Sequence, residues 1–322
     1  MNQITNAAGR VFVAGHRGMV GGAVVRRFLQ AGFDSDQIIT RDRNQLDLIR
    51  QRDVEEFFDQ ERPDIVIFAA AKVGGIHAND TFPAQFIYDN LMMAANAIDA
   101  AYRWGTKRFL FLGSTCIYPR MAPQPMEESC LLSGPLEPTN EAYALAKISG
   151  LKMCQYYRQQ YGVTFHSAMP TNLYGPGDNY HPDNSHVMPA MIRRFDDAAR
   201  SDAEEVVVWG TGTPRREFLH VDDLADAILH LVSLDDPPNL VNVGTGKDIS
   251  IRELAELVAD TVGFTGNIRQ DLTKKDGTPV KRTNIDLIQS TGWQPSVELK
   301  EGIRRTYQDY LQETKQGSLR SV

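Results

Sequence analysis

Short apolar runs alternate with amphipathic stretches along this chain, and that alternation restricts its fold more than any other feature. Arg10-Val11-Phe12-Val13-Ala14, Ile38-Ile39-Thr40, Ile65-Val66-Ile67-Phe68-Ala69 and Phe109-Leu110-Phe111-Leu112-Gly113 read as strands, as do Thr164 to Met169 and Leu240-Val241-Asn242-Val243. Runs that are apolar at nearly every position belong in a sheet buried on both faces. The stretches between them have helical spacing. Val24, Val25, Phe28 and Leu29 share one face of a helix that stops at Gly32, and a long helical pattern spans about Pro83 to Trp104. Strands alternating with helices predict an α/β chain whose parallel sheet is covered on both sides. After about residue 170 the texture turns to loops, at Asn172–Asn179, Gly210–Pro214, Gly244–Gly246 and Asp276–Pro279, expected to line one ligand cleft. Gln316 to Val322 are expected to fray.

With 322 residues, against roughly 150 per domain, the chain is expected to hold about two domains. No apolar run approaches the length of about 18 residues that a membrane span needs, and the first residues lack the basic and apolar regions of a signal peptide. Lys and Arg number 34 against 41 Asp and Glu, a net charge of −7 without a basic stripe, so no nucleic-acid partner is expected. A small anionic ligand remains compatible, since a few arginines focus charge locally. The three cysteines, Cys116, Cys130 and Cys154, are odd in number and lack Cys-x-x-Cys spacing. They point to a reducing compartment and no metal site.

Gly15-His16-Arg17-Gly18-Met19-Val20-Gly21 follows the first strand and opens a helix. Glycines at such a place let the backbone turn tightly and approach a diphosphate at the positive helix end, so the loop is expected to bind a dinucleotide. The second strand runs into Thr40-Arg41-Asp42-Arg43. Arg41 and Arg43 favour a 2′-phosphate, hence NADP(H); Asp42 between them is the acidic residue an NAD site would use.

Tyr143 and Lys147 are four apart on a helical stretch and share a face. An ammonium beside a phenol favours the phenolate, so the pair can carry a proton to a carbonyl oxygen during hydride transfer. Ser114, just past the fourth strand, lies where open α/β sheets bind ligands and can hold the same oxygen.

On these residues, and on Glu217-Phe218-Leu219-His220-Val221-Asp222-Asp223, the chain resembles the extended short-chain dehydrogenase/reductase family over essentially its full length. Within that family, Ala71-Lys72-Val73-Gly74-Gly75-Ile76, Gly113-Ser114-Thr115-Cys116-Ile117-Tyr118-Pro119, Met169 to Pro176 and His181-Pro182-Asp183-Asn184-Ser185-His186-Val187 are similar to enzymes acting on GDP-4-keto-6-deoxy-D-mannose. The resemblance implies a Rossmann-type doubly wound sheet, residues 1–170 plus about 215–250. It also implies a smaller α/β substrate-binding domain, about 171–214 and 251–322. The implied reaction is epimerisation at carbons 3 and 5, then reduction of the 4-keto group by NADPH. A cytoplasmic homodimer is implied too.

By the same resemblance, Ser114, Cys116, Tyr143, Lys147 and His186 are catalytic, Cys116 and His186 being the acid–base pair with the order of roles open. Leu112, Gly113, Lys147, Pro170, Asn172, Leu173 and His186 join the glycine loop, Arg41 and Arg43 at the cofactor. Arg194, Trp209, Arg216 and Asp276 contact the nucleotide sugar. From the residues alone, Arg194 also reads as a solvated arginine, Trp209 as a core tryptophan, and Arg215 as a possible sharer of the role of Arg216, which is placed on a loop. Tyr156, Tyr157 and Tyr161 read as packing residues, His220 as a hydrogen-bonded core histidine. The rival readings are another nucleotide-sugar 4-reductase or 4-epimerase, which would not need Cys116 and His186 as a pair, and a non-catalytic NADP-sensing regulator.

Overall fold

The structure is a computed structural model that describes residues 9–182, 185–274 and 276–321, with only the backbone described at Ile76 and His77. Expectations about residues 1–8, Asp183, Asn184, Lys275 and Val322 lie outside the described residues. In chain order the first elements are β1 (Val11–Ala14), α1 (Met19–Gln30), β2 (Ile38–Ile39), α2 (Gln51–Glu61), β3 (Ile65–Phe68), α3 (Ile76–Thr81), α4 (Pro83–Arg103) and β4 (Arg108–Leu112). Then come α5 (Glu141–Tyr161), β5 (Thr164–Pro170), β6 (Asn172–Tyr174), α6 (Val187–Arg200), β7 (Glu205–Trp209), β8 (Arg215–His220), α7 (Val221–Ser233) and β9 (Leu240–Val243). The last are β10 (Asp248–Ser250), α8 (Ile251–Val262), β11 (Asn267–Asp271), β12 (Val280–Lys281), α9 (Asp286–Ser290) and α10 (Leu299–Gln316).

All six expected strands form one parallel sheet, ordered β2-β1-β3-β4-β5-β9. Successive side chains point to opposite faces. Phe12, Val66, Phe68, Phe109, Phe111 and Phe165 meet α2, α4 and α5 on one side. Val11, Val13, Ile65, Ile67 and Leu110 meet α1 and α7 on the other. This is the Rossmann-like, doubly wound arrangement. From β1 the chain steps outward to β2, then crosses back to β3 on the far side of β1. That reversal opens a crevice above the carboxyl ends of β1 and β3.

A third core lies apart from the sheet. Tyr174, Met188, Ile192, Phe195, Val206, Phe218, Leu254, Val258 and Ile303 are buried together between α6, α8, α10 and the short strands. There β8 pairs with β6, β10 and β12, and β7 pairs with β11.

Several expectations need correction. Leu29 is exposed, because it lies about 100° around α1 from buried Phe28; the buried stripe is Gly21, Ala23, Val24 and Phe28. Asn172–Tyr174 is a strand rather than a loop, held by β8. Tyr157 packs against Tyr102 and Phe165, but Tyr156 is exposed, on the outer face of α5. The residues after α10 are docked rather than frayed: Leu319 lies against the third core, and the Arg320 carbonyl accepts the Tyr180 N–H at 2.9 Å. His220 is buried as expected, its Nδ1 accepting the Asp222 N–H.

Candidate active site

The glycine loop sits at the crevice. Gly15 has φ +83, and a Cβ there would come within 2.9 Å of the Ala69 and Ala70 backbone. Any side chain would therefore push β1 from the β3 loop. A Cβ at Gly21 would be 2.2 Å from the Gly15 carbonyl oxygen, so only glycine lets α1 close onto its own loop. Gly18 is the N-cap of α1 and offers no capping side chain, and the first turn carries no acid. Among the described residues, the N–H groups of Met19, Val20 and Gly21 have no partner. Free donors at the positive helix end fit a diphosphate. His16 has a buried, unpartnered Nδ1, and its pKa is lowered by burial and by Arg17 beside it.

Beyond β2, Asp42 is already engaged. Its carboxylate accepts the Asn44 and Gln45 N–H groups and pairs with Arg17 at 2.8 Å, which leaves it poorly placed to serve ribose hydroxyls. Arg41 pairs with Glu61 and lies over the Phe57 ring. Arg43 is exposed and makes no ion pair with a described residue. Arg43 is therefore the cation at this strand end open to a 2′-phosphate, while Arg41, held by Glu61 and the Thr40 carbonyl, would have to exchange a partner to join it.

At the ends of β4 and α5 the structure brings Ser114, Cys116, Tyr143 and Lys147 together. Ser114 caps a short 3-10 turn, Thr115–Ile117, its Oγ accepting the Cys116 N–H at 3.4 Å. Lys147 is 4% exposed; its Nζ donates to the Leu112 carbonyl at 2.8 Å and lies 5.7 Å from the Tyr143 ring centre. That bond ties α5 to the end of β4 and fixes the ammonium beside the phenol. Burial lowers the Lys147 pKa to about 8, with the Cys116 thiol acting against that shift. The Tyr143 phenol is pushed up by burial, and by Cys116. The expected drop toward a phenolate is thus absent in the protein alone; burial favours the neutral phenol, which stays protonated, as a proton donor requires. Cys116 is also raised by burial, opposed by its hydrogen bond with Ser114 and by the Lys281 and Lys147 ammonium groups.

His186 is the N-cap of α6, as expected of a residue opening that helix. Its side chain is exposed and makes no hydrogen bond with a described residue, yet desolvation lowers its pKa.

The substrate-end residues converge across the third core. Trp209 is 63% exposed, which rules out the core reading, and has Arg194 and Lys274 against its ring at 6.0 and 5.2 Å. Arg194 is steadied by the Val207 carbonyl at 2.8 Å. Asp276 accepts the Thr211 N–H and hydroxyl, clasping the loop after Trp209. Arg216 stands on β8, not on a loop, and donates to the Thr278 carbonyl at 2.7 Å. It has no acidic partner among the described residues, and burial lowers its pKa. Arg215 cannot share that role: Asp248 takes its Nε at 2.5 Å, and Glu253 pairs with it as well.

The model of the NAD dependent epimerase/dehydratase family matches residues 11–244. The chain belongs to that family. Probable GDP-L-fucose synthase 1 of Oryza sativa subsp. japonica is 57% identical over 96% of this chain and 94% of its own length. The GDP-L-fucose synthase of Escherichia coli (strain K12) is 52% identical, over 94% and 97%. A solved GDP-L-fucose synthetase from Naegleria fowleri bound to NADP matches with a TM-score of 0.85 at 26% identity, covering 98% of this chain and 96% of that one.

In this member of the epimerase/dehydratase family, three further polar residues, to which the sequence assigns no role, brace or border these elements. Asn90 on α4 accepts the Lys72 N–H at 2.9 Å and donates to the Lys72 carbonyl at 3.0 Å, fixing the loop after β3. Lys281 is half-buried opposite Arg216 in the β12–β8 pairing, close enough to Cys116 to bias its thiol. Glu217 is fully buried; it accepts the N–H groups of Thr245, Gly246 and Thr283 and the Thr283 hydroxyl. A polar residue inside the apolar stretch Phe218-Leu219 was the available signal for Glu217; Lys281 had none.

Proposed function

We propose that this chain converts GDP-4-keto-6-deoxy-D-mannose to GDP-L-fucose, epimerising carbons 3 and 5 and then reducing carbon 4 with NADPH. The full-length likeness to GDP-L-fucose synthases supports the overall reaction. The observation that carries the site is the cluster at the carboxyl end of β4, with Cys116 and Lys147 buried and Ser114 and Tyr143 half-buried beside them.

The glycine loop, Leu112, Gly113, Lys147, Pro170, Asn172, Leu173 and His186 would hold the cofactor, with Arg41 and Arg43 at its 2′-phosphate. NADPH supplies the hydride for carbon 4. Protons beside a ketone are acidic because the carbanion is an enolate. Ser114 and Tyr143 donate hydrogen bonds to the carbonyl oxygen and stabilise its developing charge. Inversion needs one group that takes a proton and one, on the opposite face, that returns it. Cys116 and His186 fill those two roles: each inversion protonates the base and deprotonates the acid, and proton exchange with solvent resets the pair before the second inversion. Tyr143 then gives its proton to the oxygen on carbon 4. Trp209 offers a flat face to the guanine, and Arg216 its guanidinium to the diphosphate; Arg194 and Asp276 complete the nucleotide end.

We also propose a cytoplasmic homodimer. Exposed Tyr88 on α4, with Leu145 and Tyr156 on α5, offers an apolar face for a second copy, and three unpaired cysteines suit a reducing compartment. Residues 1–170 with about 215–250 would be the cofactor-binding part, about 171–214 and 251–322 the substrate-binding part. No described helix is long and apolar enough to cross a membrane.

Cys116→Ser tests the division of labour. The variant should still oxidise NADPH but release a 4-reduced sugar with unchanged configuration at carbons 3 and 5. Fully epimerised product at the wild-type rate, read by NMR, would remove Cys116 from the mechanism.

A further inference from the structure

The segment after α10 reaches the glycine loop. Gly317, at φ +66, ends the helix, and the Ser318 N–H donates back to the Glu313 carbonyl at 3.0 Å. Leu319 then packs on the third core, and the Arg320 carbonyl accepts the Tyr180 N–H, so the backbone at Arg320 is held on both sides. Its side chain turns toward α1. A Cβ placed on Gly18 would lie 3.9 Å from Arg320 Nη1, and one on Gly177 would lie 3.8 Å from the Met19 Cα. The turn at Gly177, Arg320 and the start of α1 therefore meet at one point.

That meeting is electrostatically odd. A guanidinium faces the positive end of a helix with no acid in its first turn. Two positive poles oppose each other there unless an anion lies between them. No carboxylate forms an ion pair with Arg320 among the described residues, although Asp178 and Glu313 are close enough to feel its charge. Asp309 is bonded to the Gly177 N–H at 3.2 Å. The one hydrogen bond Arg320 Nη1 makes with a described residue is long, 3.5 Å to the Gly177 carbonyl. Burial lifts the Asp178 pKa to about 7, which weakens its claim on the guanidinium.

We propose that Arg320 is a cofactor-binding residue: with the free N–H groups at the start of α1, its guanidinium clamps the diphosphate of the dinucleotide. This rests on the reading that the glycine loop holds the cofactor. The 2′-phosphate is left to the arginines after β2.

The test is the dissociation constant of NADPH and of NADH, by calorimetry, for the wild type, Arg320→Ala, Arg320→Lys and Met19→Asp. Arg320→Ala should weaken both cofactors by the same factor, roughly ten- to a hundredfold for a lost charge-assisted contact, and Arg320→Lys should recover part of it. A loss confined to NADPH would move Arg320 to the 2′-phosphate and overturn the proposal. Unchanged or tighter binding would overturn it too, the latter making Arg320 a plug rather than a clamp. Met19→Asp puts a carboxylate among the free donors, where it suits the helix but repels a diphosphate. If it leaves both affinities intact, the glycine-loop reading itself fails; if it weakens both while Arg320→Ala does nothing, only the role of Arg320 fails. Melting curves for each variant separate lost binding from lost folding.

Discussion

Tyr143→Phe should lower the rate of carbon-4 reduction roughly 10²–10⁴-fold, the range for removing a positioned general acid. The phenol is the group that burial keeps protonated, and the Lys147 ammonium stands beside it. Phenylalanine preserves the ring, which meets Phe86 edge-on at 6.4 Å, so the fold should be untouched. A pH profile gives the partner signature. Lys147 has a pKa lowered to about 8, so its charge is present below that value and lost above it. Single-turnover reduction by the wild type should therefore decline as pH rises through about 8. A Tyr143→Phe enzyme within threefold of the wild type, or a rate rising through that range, would mean that another group protonates the oxygen.

Glu217→Ala should be the most damaging substitution away from the reacting atoms. It removes the acceptor of three backbone N–H groups and one hydroxyl in a fully buried place. Each orphaned buried donor costs about 1–3 kcal/mol, partly offset because burial already disfavours the Glu217 carboxylate and raises its pKa. A loss of about 3–5 kcal/mol in urea unfolding is expected. The carboxylate also ties the segment after β12 to β8, the two strands that carry Lys281 and Arg216. Folded Glu217→Ala should therefore bind the nucleotide sugar poorly while still binding NADPH. Glu217→Gln keeps one carbonyl oxygen and should fall between the two. A stability loss below about 1 kcal/mol would show that water or a rearranged loop satisfies those donors.

The sheet was legible in the sequence because its strands are buried on both faces and so are apolar at most positions, with His166, Ser167 and Asn242 as buried polar exceptions. Phe109 to Leu112 could be little else. β6 and β12 escaped for the opposite reason. Asn172 and Lys281 are polar, the strands are two or three residues long, and both exist only because β8 lies alongside. Lys281 entered the site through that pairing, across a gap of 65 residues from Arg216 that no local pattern bridges. The nearness of Ser114, Cys116, Tyr143 and Lys147 was legible in the sequence, but not their charge states. Spacing put an ammonium by the Tyr143 phenol, whereas burial, which spacing does not report, decides the protonation. Arg215 and Arg216 are adjacent letters with opposite fates, because β8 turns the first toward Asp248 and Glu253 and the second into the cleft. Arg320 was hidden in a stretch read as frayed.

The central claim is that one site both epimerises and reduces. The most direct test is a single turnover of GDP-4-keto-6-deoxy-D-mannose with NADPH in heavy water, followed by mass and NMR analysis of the product. Two carbon-bound deuterons are expected, at carbons 3 and 5, and one unlabelled hydride at carbon 4. A product carrying the hydride and no deuterium would contradict it: the chain would be a simple 4-reductase, and Cys116 and His186 would have no acid–base role.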